Sequence, residues 1–282
     1  MPPIPETPPI PEIPRGPVGR LRWAAADGWT LTRRALTHWA KRPDQLAVGL
    51  AFPVLVVLMM GYLFGGQMEV PGGDYREFII PGMFAMTMVF GVEATFTAVA
   101  ADAAKGVSDR FRAMPMAPSA VVAGRGAADM VDSLAALSVM ALCGLAMGWR
   151  VHDGIVPALA GLGLLLLLRF ALVWVGVYLG LVAKGPESVM MIQILVWPIG
   201  FLSSAMVAPS TMPGWLGAIA EWNPMSATVT ACRELFGDPA LAALASDSWA
   251  SENALLLAVV WPLAITAVFF PLAVRRYRAI GR

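Results

Sequence analysis

The sequence predicts an all-α integral membrane protein with six transmembrane helices. An N-terminal amphipathic interfacial helix leads it, and a re-entrant helical hairpin stands before the last span. Three observations predict this. The 282 residues are 58% hydrophobic and only 14% charged, with a mean hydropathy of +0.68, where a soluble domain carries roughly a quarter charged residues. Six apolar runs follow one another, at about 46–66, 78–101, 131–149, 158–183, 189–208 and 254–273, and a hydrocarbon core about 30 Å thick is crossed by about 20 helical residues. The alternation over about ten residues that membrane β-strands need is absent. Finally, the basic residues are unevenly placed. Sixteen Lys/Arg fall in the N-terminal segment, the second and fourth loops and the C-terminus, against Arg76, Arg150 and Arg233 on the other side. By the positive-inside rule both termini face the cytoplasm, as an even number of spans requires.

Residues 1–17 form a proline-rich tail, with eight prolines between 2 and 17. Such a segment is extended or disordered, not helical. It also lacks the apolar core of a signal peptide. Over 18–43 the pattern changes. Leu21, Ala25, Trp29, Thr32, Leu36 and Trp39 share one helical face, while Arg20, Trp23, Asp27, Arg34, His38 and Lys41 lie opposite, and Arg33 belongs to the same helix. A basic amphipathic helix with tryptophan on its apolar side suits a membrane surface, and Pro43 is expected to end it.

The cytoplasmic loop 102–130 has its own punctuation. Ser108 is a good N-cap, Asp109 favours the first turn and Pro115 stops the chain, which predicts a helix of about two turns. It sets Arg110 and Arg112 beside Phe111 and Met114. Ser119 is expected to cap the helix that becomes span three, where Arg125 and Asp129 are spaced to pair. Residues 209–237 are too broken to span. Pro213 opens one piece containing Trp215, and Asn223-Pro224 opens a second that carries Arg233 and closes at Gly237. Asn as cap with Pro at the first helical position is a favourable start. Pieces this short are expected to be re-entrant or interfacial, with Trp215, Trp222 and Trp249 at the outer boundary.

Two charges fall inside spans, Glu93 and Arg169. Intramembrane charges are functional candidates, and here they either line a path or serve the structure. At about 1.5 Å per residue they stand about 12 and 21 Å above the inner end. A direct pair therefore needs tilt or a stretched arginine, and Arg169 has the alternative of snorkelling outward. Gly144/Gly148 and Gly176/Gly180 are G-x-x-x-G pairs that permit close helix approach.

Catalytic chemistry has little to work with. The chain has no phosphate-binding G-x-x-x-x-G-K-[ST], no H-E-x-x-H and no nucleophile elbow. Cys143 and Cys232 stand far apart, and the only histidines are His38 and His152. No catalytic, metal-binding or cofactor-binding residue is expected. A membrane-embedded enzyme would have only Glu93 and Arg169 to use. A secondary transporter usually shows paired repeats and broken central helices, and only one broken region is present.

Two stretches resemble a known family. KGVSDRFRAMPMAPSAVVAGR at 105–125 and FLSSAMVAPSTMPGWLGAIAEWNPMSATVTACREL at 201–235 are similar to the loop after span two and the re-entrant region of type-2 ABC exporter permeases. The likeness is to the actinobacterial daunorubicin-resistance type in particular. Pro118 departs from the pattern, standing where close relatives often carry a basic residue. The resemblance implies a permease subunit in the plasma membrane that works with a second membrane subunit, either a copy or a homologue. ATP and Mg would sit on a separate nucleotide-binding ATPase, so that the permease is no enzyme. Lys105, Gly106, Asp109, Arg110, Phe111, Arg112, Met114 and Pro115, with the lead helix, would contact that ATPase. The substrate would be a hydrophobic drug, antibiotic or lipid-like molecule passing between the two membrane subunits along spans two and five. Membrane lipid would be a further partner, and nucleic acid would not. Export of a polysaccharide or other surface polymer is the alternative within transport.

Overall fold

The computed structural model of the chain describes residues 43–64, 74–104, 118–183, 185–238 and 248–279. Every regular element among them is helical. Helix α1 runs Pro43–Met59 and continues as a wider turn over Met60–Phe64. Next come α2 at Tyr75–Ala104, α3 at Pro118–Ala146, α4 at Ile155–Val182 and α5 at Pro186–Phe201. After a tight turn at Pro209–Thr211, α6 occupies Gly214–Glu221 and α7 Pro224–Phe236. The short α8 at Trp249–Glu252 leads into α9 at Ala254–Ala279. The tail 1–17, most of the amphipathic segment 18–43 and the loop residues 105–117 lie outside the described residues.

Four helices are long and apolar enough to cross a membrane: Tyr75–Ala104, Val122–Ala146, Ile155–Val182 and Ala254–Ala279. Ala51–Leu63 and Met190–Phe201 are shorter apolar helices. The expected span at 189–208 is thus interrupted, because α5 stops at Phe201. Serine chemistry explains the stop. Ser203 Oγ donates to the Gly200 carbonyl at 2.6 Å and accepts from Ala205 N at 3.3 Å, while Ser204 N donates to Ser226 Oγ at 2.9 Å. Local side-chain bonds of this kind offer the backbone an alternative to the helix. A second boundary also differs. Pro118, not Ser119, opens α3, since proline at the first helical position forfeits no intrahelical bond.

Helix α2 is the centre of the packing. Ile79, Ile80, Phe84 and Phe96 are fully buried, and Leu165 and Leu168 of α4 are buried with them. Helices α2 and α4 approach closely because Gly176 and Gly180 carry no side chain. A Cβ on Gly176 would stand 2.9 Å from Thr95 Cβ, and one on Gly180 would stand 2.7 Å from Val99 Cβ and 2.9 Å from the Phe96 carbonyl. This G-x-x-x-G pair is therefore a packing seam. In the other pair, Gly144 lies against Ile80, but Gly148 ends the helix at φ 103° with nothing nearby. We expect Gly180→Leu to destabilise the protein by about 3 kcal/mol or more, at the upper end for overpacking, read as a lowered melting temperature in detergent.

The segment 213–237 folds as its punctuation indicates. Pro213 precedes α6. Asn223 Oδ1 accepts from Met225 N at 2.9 Å, and Asn223 Nδ2 donates to the Ile199 and Leu202 carbonyls at 3.0 and 2.7 Å. One side chain thus starts α7 and ties off the end of α5. Gly237 closes α7 at φ 70°, a left-handed conformation that suits glycine. Trp215 is well exposed, and Trp222 and Trp249 stack at 5.9 Å.

Candidate functional site: polar groups inside the helical bundle

Arg169 does not snorkel outward. It is 3% exposed in the middle of α4 and is held by hydroxyls from two other helices. Its Nε donates to Ser133 Oγ of α3 at 2.7 Å, and its Nη2 donates to Thr95 Oγ1 of α2 at 2.8 Å. Thr95 in turn donates to Asp129 Oδ2 at 2.7 Å, and Ser133 donates to the Asp129 carbonyl at 2.6 Å. One threonine hydroxyl therefore bridges a guanidinium to a carboxylate, each in the arrangement that its lone pairs and proton allow.

The network continues toward the end of α2 and the start of α3. Arg125 Nε reaches Asp129 Oδ1 at 3.2 Å, the pairing expected from their spacing, and Arg125 Nη1 lies 3.5 Å from Asp102 Oδ2. Asp102 and Arg125 flank the undescribed loop residues, so its two ends are joined by an ion pair. Glu93 lies half-buried, between Gly91 and Thr95 in sequence but on the opposite face of α2. The Arg169 guanidinium packs over Gly91, where a Cβ would stand 2.6 Å from its Cζ. The side chain's reach thus absorbs the expected height difference, but toward Thr95 and not toward Glu93.

The face of α2 bearing Glu93 also bears Met86 and Phe90, and it meets α5. Phe90 and Trp197 stand 4.8 Å apart, Phe52 of α1 packs edge-on to Trp197 at 5.6 Å, and Trp197 stacks on Phe201 at 5.8 Å. Around this cluster Leu55, Met190, Met191 and Ile194 are exposed.

A second buried guanidinium lies near the other end of the bundle. Arg233 of α7 is 3% exposed. It donates to the carbonyls of Phe78 at 2.9 and 3.1 Å, Ser204 at 2.9 Å and Ala205 at 3.2 Å. Its Cζ lies 3.8 Å from the Phe78 ring centroid, and Asp238 Oδ2 is 3.9 Å from Nε. Gly82 lets the Ala205 carbonyl approach α2, because a Cβ there would collide with it. His152 adds a contact with Glu77 at 3.3 Å.

Of the residues expected to matter, Pro213, Trp215, Asn223, Pro224, Arg233, Glu93 and Arg169 are described. The loop set Lys105, Gly106, Asp109, Arg110, Phe111, Arg112, Met114 and Pro115 lies outside the described residues. So does the lead-helix set Trp29, Arg33, Arg34, Leu36 and Trp39. Thr95, Ser133 and Asp132 escape a search for motifs. The available signal was three polar residues, Asp129, Asp132 and Ser133, within five positions at the start of an apolar run. Among the described residues no group of His, Cys, Asp and Glu could hold a metal ion.

Apolar helices with a committed polar interior define a multi-pass helical membrane protein. Its family is identifiable from sequence. The model of the ABC-2 type transporter family matches residues 27–236, and the chain belongs to this family. It is 35% identical over 258 residues to the daunorubicin resistance ABC transporter permease protein DrrB1 of Streptomyces coeruleorubidus, covering 90% of this chain and 88% of that one. It is 25% identical over 244 residues to the probable doxorubicin resistance ABC transporter permease protein DrrC of Mycobacterium tuberculosis, covering 83% and 85%. A further similarity, 26% over 175 residues, is to the doxorubicin resistance permease protein DrrB of the same organism, covering 62% and 61%.

Proposed function

We propose that the chain is the transmembrane subunit of an ATP-driven exporter of a hydrophobic, drug-like compound. The observation that carries this reading is the 35% identity over 90% of the chain to a daunorubicin resistance permease. In this reading α1 and α5 complete a set of six spans, both termini are cytoplasmic, and α6 with α7 forms a hairpin entering from the outer side. A separate nucleotide-binding subunit carries ATP and Mg, and a second membrane subunit, a copy or a homologue, completes the assembly. The substrate moves between the membrane subunits along α2 and α5. The Phe52–Phe90–Trp197 cluster and Glu93 are on the α5-facing side of α2, which supports that route.

Affinity purification of the tagged chain from native membranes tests the reading. A stoichiometric ATPase subunit and ATP-dependent efflux from vesicles are expected, and a complex without ATP-dependent efflux would refute it. The loop 105–115 is assigned to coupling by resemblance. Arg112→Glu is accordingly expected to lower export at least about tenfold while the complex still hydrolyses ATP. That loss corresponds to about 1.4 kcal/mol of coupling, and is measured as the ratio of transport to ATP turnover.

A further inference from the structure

Helix α9 meets the bundle on one side. The buried clusters that hold it draw on α2, α3, α4, α7 and α8, and none includes a residue of α5. Along its other side Leu255, Leu256, Val259, Val260, Leu263 and Val268 are exposed. Lipid tails are as apolar as these side chains, so such a face needs no protein to cover it. The apolar run ends at Ala273, and the next turn carries Arg275, Arg276 and Arg278. These three are not equivalent. Arg276 is half-buried, and its Nε donates to the Leu181 carbonyl at 3.4 Å, which ties α9 to the end of α4. Tyr277 is buried with Leu181 and Val274 in one cluster, so the end of α9 is packed in place. Arg275 and Arg278 are exposed and make no hydrogen bond or ion pair among the described residues. Three residues apart, they are neighbours on the helix surface. Steps of four, three and four back from Arg275 reach Pro271, Val268 and Ala264, all exposed. The result is an apolar strip about 16 Å long with two unpaired cations at its end.

We propose that this face of α9 binds an anionic phospholipid, with the headgroup at Arg275 and Arg278 and the acyl chains along Ala264, Val268 and Pro271. Charge complementarity identifies the occupant. Basic residues next to a span attract anionic headgroups, by about fivefold in affinity for each arginine near the surface. A guanidinium also offers a phosphate two parallel donors. A zwitterionic lipid brings the same phosphate with its own ammonium group beside it, which offsets the attraction. A second copy of α9 packed face to face would bring the same two cations to the contact, and like charges opposed across an interface are unfavourable. The inference goes beyond the exporter reading and does not depend on it, since it needs only that α9 spans a membrane.

The test uses the full chain with p-benzoylphenylalanine in place of Val268. The chain is reconstituted in vesicles of equal parts phosphatidylglycerol and phosphatidylcholine with the same acyl chains. Illumination joins position 268 to whatever lies against it, and mass spectrometry identifies the adduct. The phosphatidylglycerol adduct is expected to exceed the phosphatidylcholine adduct at least about fivefold. Arg275→Gln combined with Arg278→Gln should bring the ratio close to one. Arg275→Lys combined with Arg278→Lys should keep most of it, because the charge remains. Raising the salt from about 0.05 to about 1 M should lower the ratio with no variant at all, because surface charges are then screened. A ratio near one in the unaltered arginine background would overturn the proposal. So would a ratio that the Gln pair leaves unchanged, or adducts to protein instead of lipid.

Discussion

Arg233→Leu is expected to destabilise the protein by about 3–5 kcal/mol, the scale for removing one partner from a buried, hydrogen-bonded charge. The guanidinium joins three segments distant in sequence: the start of α2 through the Phe78 carbonyl, the bend after α5 through the Ser204 and Ala205 carbonyls, and α7 itself. Leucine would fill much of the space but donate nothing, and Asp238 would lose the cation 3.9 Å away. Arg233→Lys should recover little. A single ammonium cannot match a planar fork aimed at three carbonyls while its Cζ sits 3.8 Å from the Phe78 ring centroid. The measurement is the melting temperature and the monodisperse yield in detergent. If both variants melt like wild type, the bend at 202–208 is held by its serines and Asn223, and Arg233 is not the clamp.

How much of this was legible in the sequence depended on the range of the interaction. Asn223, Pro224 and Gly237 set the limits of α7 through bonds to neighbours within four residues, so their types alone announced the element. Gly176 and Gly180 announced a close approach, but not to which helix. The stop of α5 was hidden, because Ser203 and Ser204 lower hydropathy too little to interrupt an apolar run, and the decisive bond runs from Ser204 to Ser226 on another helix. Arg169 was visible as a charge in a span. Its partners were not, since they depend on the rotation of α2, α3 and α4 about their axes. Asp132 was masked by its place at the edge of the third apolar run.

Asp129→Leu is the second change expected to have a large effect, and the sign of its coupling to Arg169 is the informative part. With Asp129 removed, Arg169 keeps the hydroxyls of Ser133 and Thr95 but loses the carboxylate bound to Thr95, and among the described residues Asp132 alone is left to offset its charge. An unbalanced charge near the centre of a span costs about 2.5–3.5 kcal/mol on insertion scales, so the single variant should lose up to about 3 kcal/mol. Thr95 would also lose the acceptor of its hydroxyl proton. In a background of Arg169→Met the same change removes a carboxylate that no longer has that guanidinium to balance. The double variant should therefore be more stable than the sum of the two losses, by at least about 1 kcal/mol, within the range for residues of one network. Thermal or denaturant unfolding of the four proteins in one detergent measures this. Strict additivity would mean that Arg125 alone balances Asp129, and that the Thr95 hydroxyl reports proximity between helices without carrying charge compensation across them.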